Sequence, residues 1–380
     1  MAIPALSRNC DVAPPRAART SQVIRRRGHE TVLGRRTVAC TGVGRPPPAP
    51  ARTRPPHPED GMSTPRFRPT RALGALALAA VVAVGLAACG DDDSAPAPET
   101  PAQGDDAFPV TVGSGDGEIT LDARPNAVVS LSPTATEMLF AVGAGDQVVA
   151  VDDQSTYPGE APRTALSGFT PNVEAIVGYS PDLVIVSDDP GDLVAGLERV
   201  GVPTLVLPAA VNLDDVYGQI EQVGAATGHV GDAAEVVSRM QGEIDEVVAG
   251  LPERPEPLRY YHELDPTFFS ITDDTFVGSV YSMLGLESIA TGGDGYPQLS
   301  AEYVVTADPD LIFLADAKCC GVDAAAVAER PGWGETAAVR EGHVHPLDDD
   351  VASRWGPRVA DLVRQVGDVV AQIPVTAPTR

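Results

Sequence analysis

A helix–turn–strand unit occurs twice in this 380-residue sequence, with the two copies 128 positions apart. Residues 172–188 read NVEAIVGYSPDLVIVSD, and residues 300–316 read SAEYVVTADPDLIFLAD. Each copy has a helix-capping residue, an acid two positions later, a Pro-Asp turn and a short apolar run, which predicts a helix followed by a buried strand. Unrelated helix–turn–strand units can resemble each other by chance. Here the two copies agree in the capping residue, the acid, the turn and the end of the strand, which favours two related α/β lobes.

Apolar runs alternate with helical patterns on both sides of the repeat, which is typical of parallel sheets covered by helices. Residues 213–252 have apolar side chains with a period of 3.6, which predicts one long helix, or two in line. The predicted fold is therefore α/β, with two Rossmann-like lobes, mainly parallel sheets and a long backbone helix between them. The N-terminal lobe is expected at 108–212 and the C-terminal lobe at 253–380. A ligand is expected between the lobes, at the carboxyl ends of the strands.

The first 107 residues differ from the rest. Residues 1–61 are rich in Arg and Pro without a sustained apolar period, which predicts disorder or an over-extended gene model. Residues 62–88 place three arginines before an apolar run and lead into LAAC, the pattern of a secretory signal peptide. LAAC resembles the lipobox of bacterial lipoproteins, which implies cleavage there and lipidation of Cys89. A transmembrane anchor is the alternative, since the apolar run is close to the shortest spanning length. Residues 89–107 are acidic and Pro-rich, which predicts a flexible tether.

The chain carries 53 acidic and 27 basic residues, a formal net charge of −26. This balance argues against nucleic acid as a partner, because phosphate binding needs a basic face. Adjacent Cys319 and Cys320 are the only cysteines in the predicted lobes, and in an oxidising compartment they can form a vicinal disulfide. An extracytoplasmic thiol redox protein using this pair is one alternative function, although the pair lacks the C-x-x-C arrangement that lowers a thiol pKa.

Four segments between about 125 and 370 carry a resemblance: AVVSLSPTATEMLFAVGAGDQVVAVDDQSTYP, GFTPNVEAIVGYSPDLVIV, GGDGYPQLSAEYVVTADPDLIFL and PGWGETAAVREGHVHPLDDD. In this order they resemble the iron-siderophore and cobalamin binding proteins of ABC importers. The resemblance implies two α/β lobes joined by a backbone helix, and binding and delivery of a metal-chelate ligand without catalysis. It also implies an ABC permease dimer with its ATPase as partner, and an extracytoplasmic monomer held at the cell membrane by its lipid anchor.

Within that family the sequence looks most similar to the cobalamin binders. Tyr296-Pro297-Gln298 stands six residues before Glu302, and Asp350 stands seven before Pro357-Arg358, as in their pattern. The sequence departs from the cobalamin-binder pattern at two places. Gly168 stands where an aromatic residue is expected, although Phe169 is adjacent, and the segment 318–320 is not part of the pattern. Cobalamin or another corrinoid is therefore the favoured ligand, with a ferric siderophore or haem as alternatives. A sensor or adhesion lipoprotein with the same fold is a further alternative.

A binding site for a metal chelate needs flat apolar walls and a few polar contacts. The expected ligand-binding residues are aromatic or charged side chains near predicted strand ends: Tyr157, Phe169, Phe268, Tyr296, Lys318, Asp350, Arg354 and Trp355. Core packing is the simpler role for each aromatic residue. A solvated surface charge is the simpler role for Lys318, the only lysine of the chain.

Glu174 and Glu302 stand near the starts of the two repeated helices, where a carboxylate favours the helix dipole. The resemblance implies that each of them docks on an arginine of one transporter subunit. No catalytic residue and no cofactor are expected. No protein metal site is expected either, since the histidines of the predicted lobes lack the carboxylate–histidine cluster of zinc receptors.

Overall fold

A computed structural model gives the structure of residues 107–375. The segments 1–61 and 62–88, the lipidation site Cys89 and nearly all of the tether 89–107 lie outside the described residues, so those predictions stay untested. Within residues 107–375, no helix is long and apolar enough to cross a membrane.

The N-terminal lobe starts with an antiparallel hairpin and continues as a parallel five-stranded sheet. The hairpin strands are β1 (Val110–Ser114) and β2 (Gly117–Leu121), and the sheet strands are β3 (Val128–Ser130), β4 (Val148–Asp152), β5 (Arg163–Leu166), β6 (Leu183–Val186) and β7 (Thr204–Val206). The sheet order is β5–β4–β3–β6–β7. Three helices connect its strands: α1 (Pro133–Ala141), α2 (Val173–Val177) and α3 (Leu193–Glu198). Every residue of β6 is buried, as expected for a strand covered on both faces.

The segment predicted as a linking helix is two helices, α4 (Leu213–Thr227) and α5 (Val230–Gly250). Gly228 separates them with a left-handed φ of 78°, and α4 packs back along α5 and against α1 and β1. A Cβ at Gly224 would lie 2.4 Å from the Cβ of Ala233, so glycine is needed where the two helices approach. Only α5, about 31 Å long at 21 residues, therefore links the lobes, and α4 belongs to the N-terminal lobe.

The C-terminal lobe is a parallel four-stranded sheet with seven helices around it. Its strands are β8 (Leu258–Glu263), β9 (Leu286–Ser288), β10 (Leu311–Leu314) and β11 (Val344–Pro346), in the order β11–β10–β8–β9. Its helices are α6 (Phe276–Met283), α7 (Ala301–Ala307), α8 (Ala317–Cys320), α9 (Ala324–Ala328), α10 (Ala337–Glu341), α11 (Asp349–Ala352) and α12 (Val359–Gln372). The amphipathic α12 packs on α5 and α6.

The repeat seen in the sequence is also a repeat of structure. The side chains of Asn172 and Ser300 cap α2 and α7 by accepting the N–H of the residue three positions later, at 2.9 and 3.1 Å. Ser180 and Asp308, again 128 positions apart, both have a left-handed φ, 52° and 47°. Strands β4–β3–β6–β7 correspond in order to β9–β8–β10–β11, which leaves β5 as an additional edge strand of the N-terminal lobe.

One buried apolar cluster extends through both lobes. It includes Val128 and Leu183 of the N-terminal sheet, Val236 of α5, Phe313 of the C-terminal sheet and Val363 of α12. Two smaller clusters cover the opposite face of each sheet and stay within their own lobe. The lobes are therefore joined by a shared core as well as by α5, and this core fixes how their strand ends face each other.

Candidate functional site

The loops at the carboxyl ends of the two sheets hold the residues predicted to bind ligand. Tyr157 follows β4 and Phe169 follows β5 in the N-terminal lobe. In the C-terminal lobe, Phe268 follows β8, Tyr296 follows β9 and Lys318 follows β10, while Asp350, Arg354 and Trp355 follow β11. Since the carboxyl ends of parallel strands share one edge, the predicted residues of each lobe lie at one edge of its sheet, as expected from the sequence.

The lobes touch at this edge through one stretch of the C-terminal lobe, residues 349–358, which we call the bridging segment. Arg354 donates from Nη1 to Glu137 Oε1 on α1, at 2.9 Å, and from Nη2 to the carbonyl oxygen of Gln154, at 3.2 Å. Trp355 Nε1 donates to Gln219 Oε1 on α4, at 3.1 Å. Three residues of the N-terminal lobe thus accept hydrogen bonds from two neighbouring residues of the C-terminal lobe.

Charged side chains form a continuous chain along the bridging segment. Arg354 also donates from Nη2 to Asp350 Oδ1, at 2.8 Å, and Lys318 Nζ donates to Asp350 Oδ2, at 2.8 Å. The hydrogen bond with Asp350 raises the pKa of Lys318, so the amine stays cationic. The ammonium group remains accessible, since the Lys318 side chain is 59% exposed. Of the two cations predicted to bind ligand, Lys318 and Arg354, only Lys318 is thus open to solvent.

Arg354 has different partners from those that the sequence predicted. Its side chain is only 9% exposed, and its guanidinium binds Glu137, Gln154 and Asp350. These partners give Arg354 a contact between the lobes, because buried charges of opposite sign pair with each other. Contact of Arg354 with the ligand stays a prediction.

The predicted aromatic residues divide by exposure. Phe169 is 65% and Tyr157 48% exposed, so both present ring surface to solvent. Tyr296 and Trp355 are partly buried against the shared core. Burial raises the pKa of the Tyr296 phenol, so its hydroxyl stays protonated.

The ring of Phe268 packs mainly against side chains of its own lobe. Its ring centroid is 5.7 Å from that of Trp333, and the Arg330 guanidinium lies 5.4 Å from it. Arg330 in turn binds the buried Glu263 at the end of β8 with two hydrogen bonds, of 2.5 and 2.6 Å. This position fits the simpler role of core packing better than that of a ligand wall.

A second buried acid, Asp316, lies beside Glu263. Neither of its carboxylate oxygens has a donor among the described residues. Burial, and after it the charge of Glu263, raises the pKa of Asp316 to about 7. The raised pKa favours the neutral, protonated form of Asp316 below about pH 7.

The cysteine pair is adjacent in space as well as in sequence. The two Sγ atoms of Cys319 and Cys320 lie 2.7 Å apart on α8, which is longer than a disulfide bond of about 2.05 Å, and the vicinal disulfide stays a prediction. Burial raises the pKa of the Cys319 thiol, and nearby Asp349 raises it further. A raised pKa lowers the thiolate fraction, which disfavours the thiol redox function.

Glu174 and Glu302 lie in equivalent places. Each is exposed, is the second residue of its helix and stands two residues after the cap. Within residues 107–375 neither carboxylate has an ion-pair partner. The pair is therefore accessible to another protein, one acid from each lobe.

Two residues at the lobe boundary were missed from the sequence, Glu137 and Arg358. Glu137 is the only acid of the apolar helix PTATEMLFA, and a lone carboxylate on a buried helix needs a partner. That signal could have identified Glu137, but not its partners in the other lobe.

Other features of the described surface do not suggest a site elsewhere. One shallow groove lies beside Pro257 and Gly285 at the starts of β8 and β9, away from the carboxyl edges, and a second lies between Leu213 at the start of α4 and Val280 of α6. Within the described range, no group of three or more His, Cys, Asp or Glu residues is arranged to hold a metal ion.

Comparison with known proteins places this fold and cleft in a family. Residues 128–351, which contain every strand of the two main sheets, match the periplasmic binding protein family. The chain belongs to the periplasmic binding protein family. As a member, it is an ABC transporter substrate-binding protein with the expected two-lobe α/β fold, and it is not an enzyme.

Individual members of the family are similar over most of the chain. The uncharacterized ABC transporter substrate-binding lipoprotein YvrC of Bacillus subtilis is 31% identical over 309 residues, 78% of this chain and 95% of YvrC. A cobalamin-binding protein of Halobacterium salinarum is 31% identical over 291 residues, 72% of this chain and 78% of that protein. The crystal structure of the vitamin B12 binding protein BtuF of Vibrio cholerae is 25% identical, with a TM-score of 0.55, and the match covers 65% of this chain and 96% of BtuF.

Proposed function

We propose that this periplasmic binding protein captures a corrinoid, with cobalamin as the preferred ligand, between its two lobes. The observation that carries the proposal is the pair of exposed rings, Tyr157 and Phe169, at the carboxyl edge of the N-terminal sheet, together with the exposed ammonium group of Lys318 at the carboxyl edge of the C-terminal sheet. A corrin ring is a broad macrocycle with apolar faces, which aromatic side chains can cover. The similarity to a cobalamin-binding protein and to BtuF supports the same ligand class.

The polar contacts fit the remaining chemistry of cobalamin. Lys318 offers an exposed cation to the phosphate that joins the corrin to its nucleotide, and Asp350 holds the ammonium group in place at 2.8 Å. Tyr296 forms the apolar wall of the C-terminal lobe, supported by the core beneath it. Trp355, which belongs to the bridging segment, covers one edge of the ligand. The metal arrives already chelated, so the protein needs no metal ligands of its own.

Delivery uses surfaces outside the cleft. Glu174 and Glu302, one exposed acid on each lobe, dock on arginines of the two permease subunits, and the associated ATPase drives uptake. Lipidation of Cys89 holds the protein, as a monomer, at the outer face of the cell membrane. The acidic tether 89–107 is long and flexible enough to let the lobes move away from the lipid anchor and contact the permease.

The decisive experiment is calorimetric titration of the chain from residue 90 onward with four probes: cyanocobalamin, dicyanocobinamide, haemin and ferrichrome. Saturable binding of cyanocobalamin, with weaker or no binding of haemin and ferrichrome, is the expected result. If haemin or ferrichrome binds and neither corrinoid does, the corrinoid assignment is wrong and the ligand is another metal chelate. Dicyanocobinamide lacks the phosphate and nucleotide, and therefore separates recognition of the corrin ring from recognition by Lys318.

A further inference from the structure

Glu137 is a buried carboxylate at the boundary between the two lobes. Its side chain is 2% exposed, and it belongs to α1 of the N-terminal lobe. Arg358 donates from Nε to Oε2 at 2.9 Å and from Nη2 to Oε1 at 2.5 Å, while Arg354 donates to Oε1 at 2.9 Å. Both arginines lie more than 200 residues further along the chain, in the bridging segment of the other lobe. One acid thus binds two cations across the lobe boundary.

The contacts of Glu137 continue toward the cleft. Arg354, held by Glu137, binds Asp350, and Asp350 binds Lys318. Since Arg354 and Asp350 are nearly buried, neither can turn to solvent if its partner is removed. A change at Glu137 is therefore transmitted to the bridging segment and to the ammonium group of Lys318.

We propose that Glu137 is a positioning residue for ligand capture, which fixes the bridging segment against the N-terminal lobe and so sets the distance between the two cleft walls. It does not touch the ligand. The part of this inference that concerns lobe spacing stands on the contacts alone, and the part that concerns affinity rests on the proposed corrinoid function.

The molecule contains a matched control for this role. Glu263 is also a fully buried carboxylate with two hydrogen bonds from one arginine, Arg330, but both residues lie inside the C-terminal lobe. Removing the charge of Glu263 leaves a buried arginine without its partner, as removing that of Glu137 does. The two substitutions therefore carry a comparable energetic cost, and only one of them acts across the lobe boundary.

The test compares Glu137→Gln with Glu263→Gln by pulsed electron–electron resonance between two spin labels. The labels are placed on exposed positions of different lobes, Val200→Cys and Glu287→Cys, with Cys319 and Cys320 replaced by serine. In the ligand-free chain, Glu137→Gln is expected to broaden and lengthen the distance distribution, whereas Glu263→Gln leaves it unchanged. Both variants should lose thermal stability. An unchanged distribution in Glu137→Gln, or the same broadening in both variants, would overturn the proposal.

A titration with cyanocobalamin gives the second readout. Glu137→Gln is expected to weaken binding by about tenfold or more, while Glu263→Gln stays within about twofold of the parent. If the parent chain does not bind cyanocobalamin, the proposed function fails, but the distance measurement still decides the role of Glu137. Equal losses of affinity in both variants would show that Glu137 acts through stability alone.

Arg358→Lys keeps the experiment decisive if Glu137→Gln does not fold. Lysine retains the positive charge but cannot make the paired hydrogen bonds of a guanidinium. Arg358→Lys should broaden the distribution of distances between the lobes and weaken cyanocobalamin binding. Both effects should be smaller than those of Glu137→Gln. Parent-like distances and affinity in Arg358→Lys would count against the proposal.

Discussion

The guanidinium of Arg358 lies over the ring of Tyr157, 4.3 Å from its centroid. Arg358 belongs to the C-terminal lobe and Tyr157 to the N-terminal lobe, so this cation–π contact is one of the links between them. Arg358 also binds Glu137. One arginine therefore supports an exposed aromatic residue of the cleft and neutralises a buried acid beneath it. The free part of the Tyr157 ring is thus held in a defined position before any ligand binds.

Tyr157→Ala is expected to weaken cyanocobalamin binding by about tenfold, because the ring covers an apolar face of the ligand. Thermal stability should change little, since the residue is 48% exposed. Tyr179→Ala is the matched control: Tyr179 is 40% exposed and lies before β6, away from the carboxyl edge. Calorimetry and thermal denaturation of both variants check the prediction, and equal affinities would remove Tyr157 from the site.

Tyr296→Ala is expected to weaken cyanocobalamin binding by about tenfold to a hundredfold, because the ring forms a wall in the C-terminal lobe. Its ring is only partly buried, so the melting temperature should fall by a few degrees at most. A large fall in melting temperature with unchanged affinity would instead place Tyr296 in the core. Trp355→Phe, which removes the hydrogen bond to Gln219 but keeps a ring, provides the comparison.

Lys318→Gln is expected to weaken binding of cyanocobalamin severalfold and to leave dicyanocobinamide nearly unaffected. The reason is that only cyanocobalamin carries the phosphate that the ammonium group would bind. Higher salt should reduce the affinity of the parent for cyanocobalamin more than that of the variant. Equal losses for both corrinoids would show that Lys318 acts through Asp350 rather than on the phosphate.

Glu174→Ala combined with Glu302→Ala is expected to abolish uptake of labelled cyanocobalamin by cells that depend on this protein. Binding by the purified double variant should stay at the parent level, because in this proposal both acids contact the permease and not the ligand. The control pair Glu198→Ala and Glu287→Ala removes the same charge, with one exposed acid from each lobe. Loss of uptake in the control pair as well would point to net charge rather than docking.

Asp316→Asn is expected to raise the melting temperature at pH 8, with a difference from the parent that shrinks toward pH 4. The folded-state pKa of Asp316 is raised from 3.8 to about 7 by burial and then by Glu263. Between these two values the folded chain holds a proton that the unfolded chain releases, so this group loses its stabilising effect as pH rises through the window.

Denaturation of parent and Asp316→Asn across that range measures the effect. His262, whose pKa burial lowers to about 3, makes the folded state less stable as pH falls below 6.5, but it is present in both proteins and cancels. A difference in melting temperature that does not depend on pH would contradict the assigned protonation of Asp316.

The repeat predicted the two lobes because its elements are local. Asn172 and Ser300, as caps, and the buried runs that follow specify a helix and a strand within about fifteen residues. The sequence allowed one helix or two in line, and the reversal of direction between α4 and α5 was missed. Gly228 carried the signal of a helix end, but the apolar period continues on its other side.

The edge of each sheet at which the candidate residues lie was predictable, since strand direction determines where loops emerge. The role of Arg354 was not, because its partner Glu137 stands 217 residues earlier. Nothing in the local sequence around either residue specifies that pairing. Exposure of Tyr157 and Phe169, against partial burial of Phe268, likewise depends on packing between distant elements.

The shared core also bears on how the chain matures. Helix α12 is the last element of the described chain and contributes Val359, Leu362 and Val366 to a cluster that begins with strand β1. Because α12 packs on α5, the shared core is incomplete until the final helix has been synthesised and exported. A chain truncated before α12 would emerge from the translocation channel with part of its apolar core exposed to water. Such a chain is expected to be degraded by proteases before it can act as a receptor.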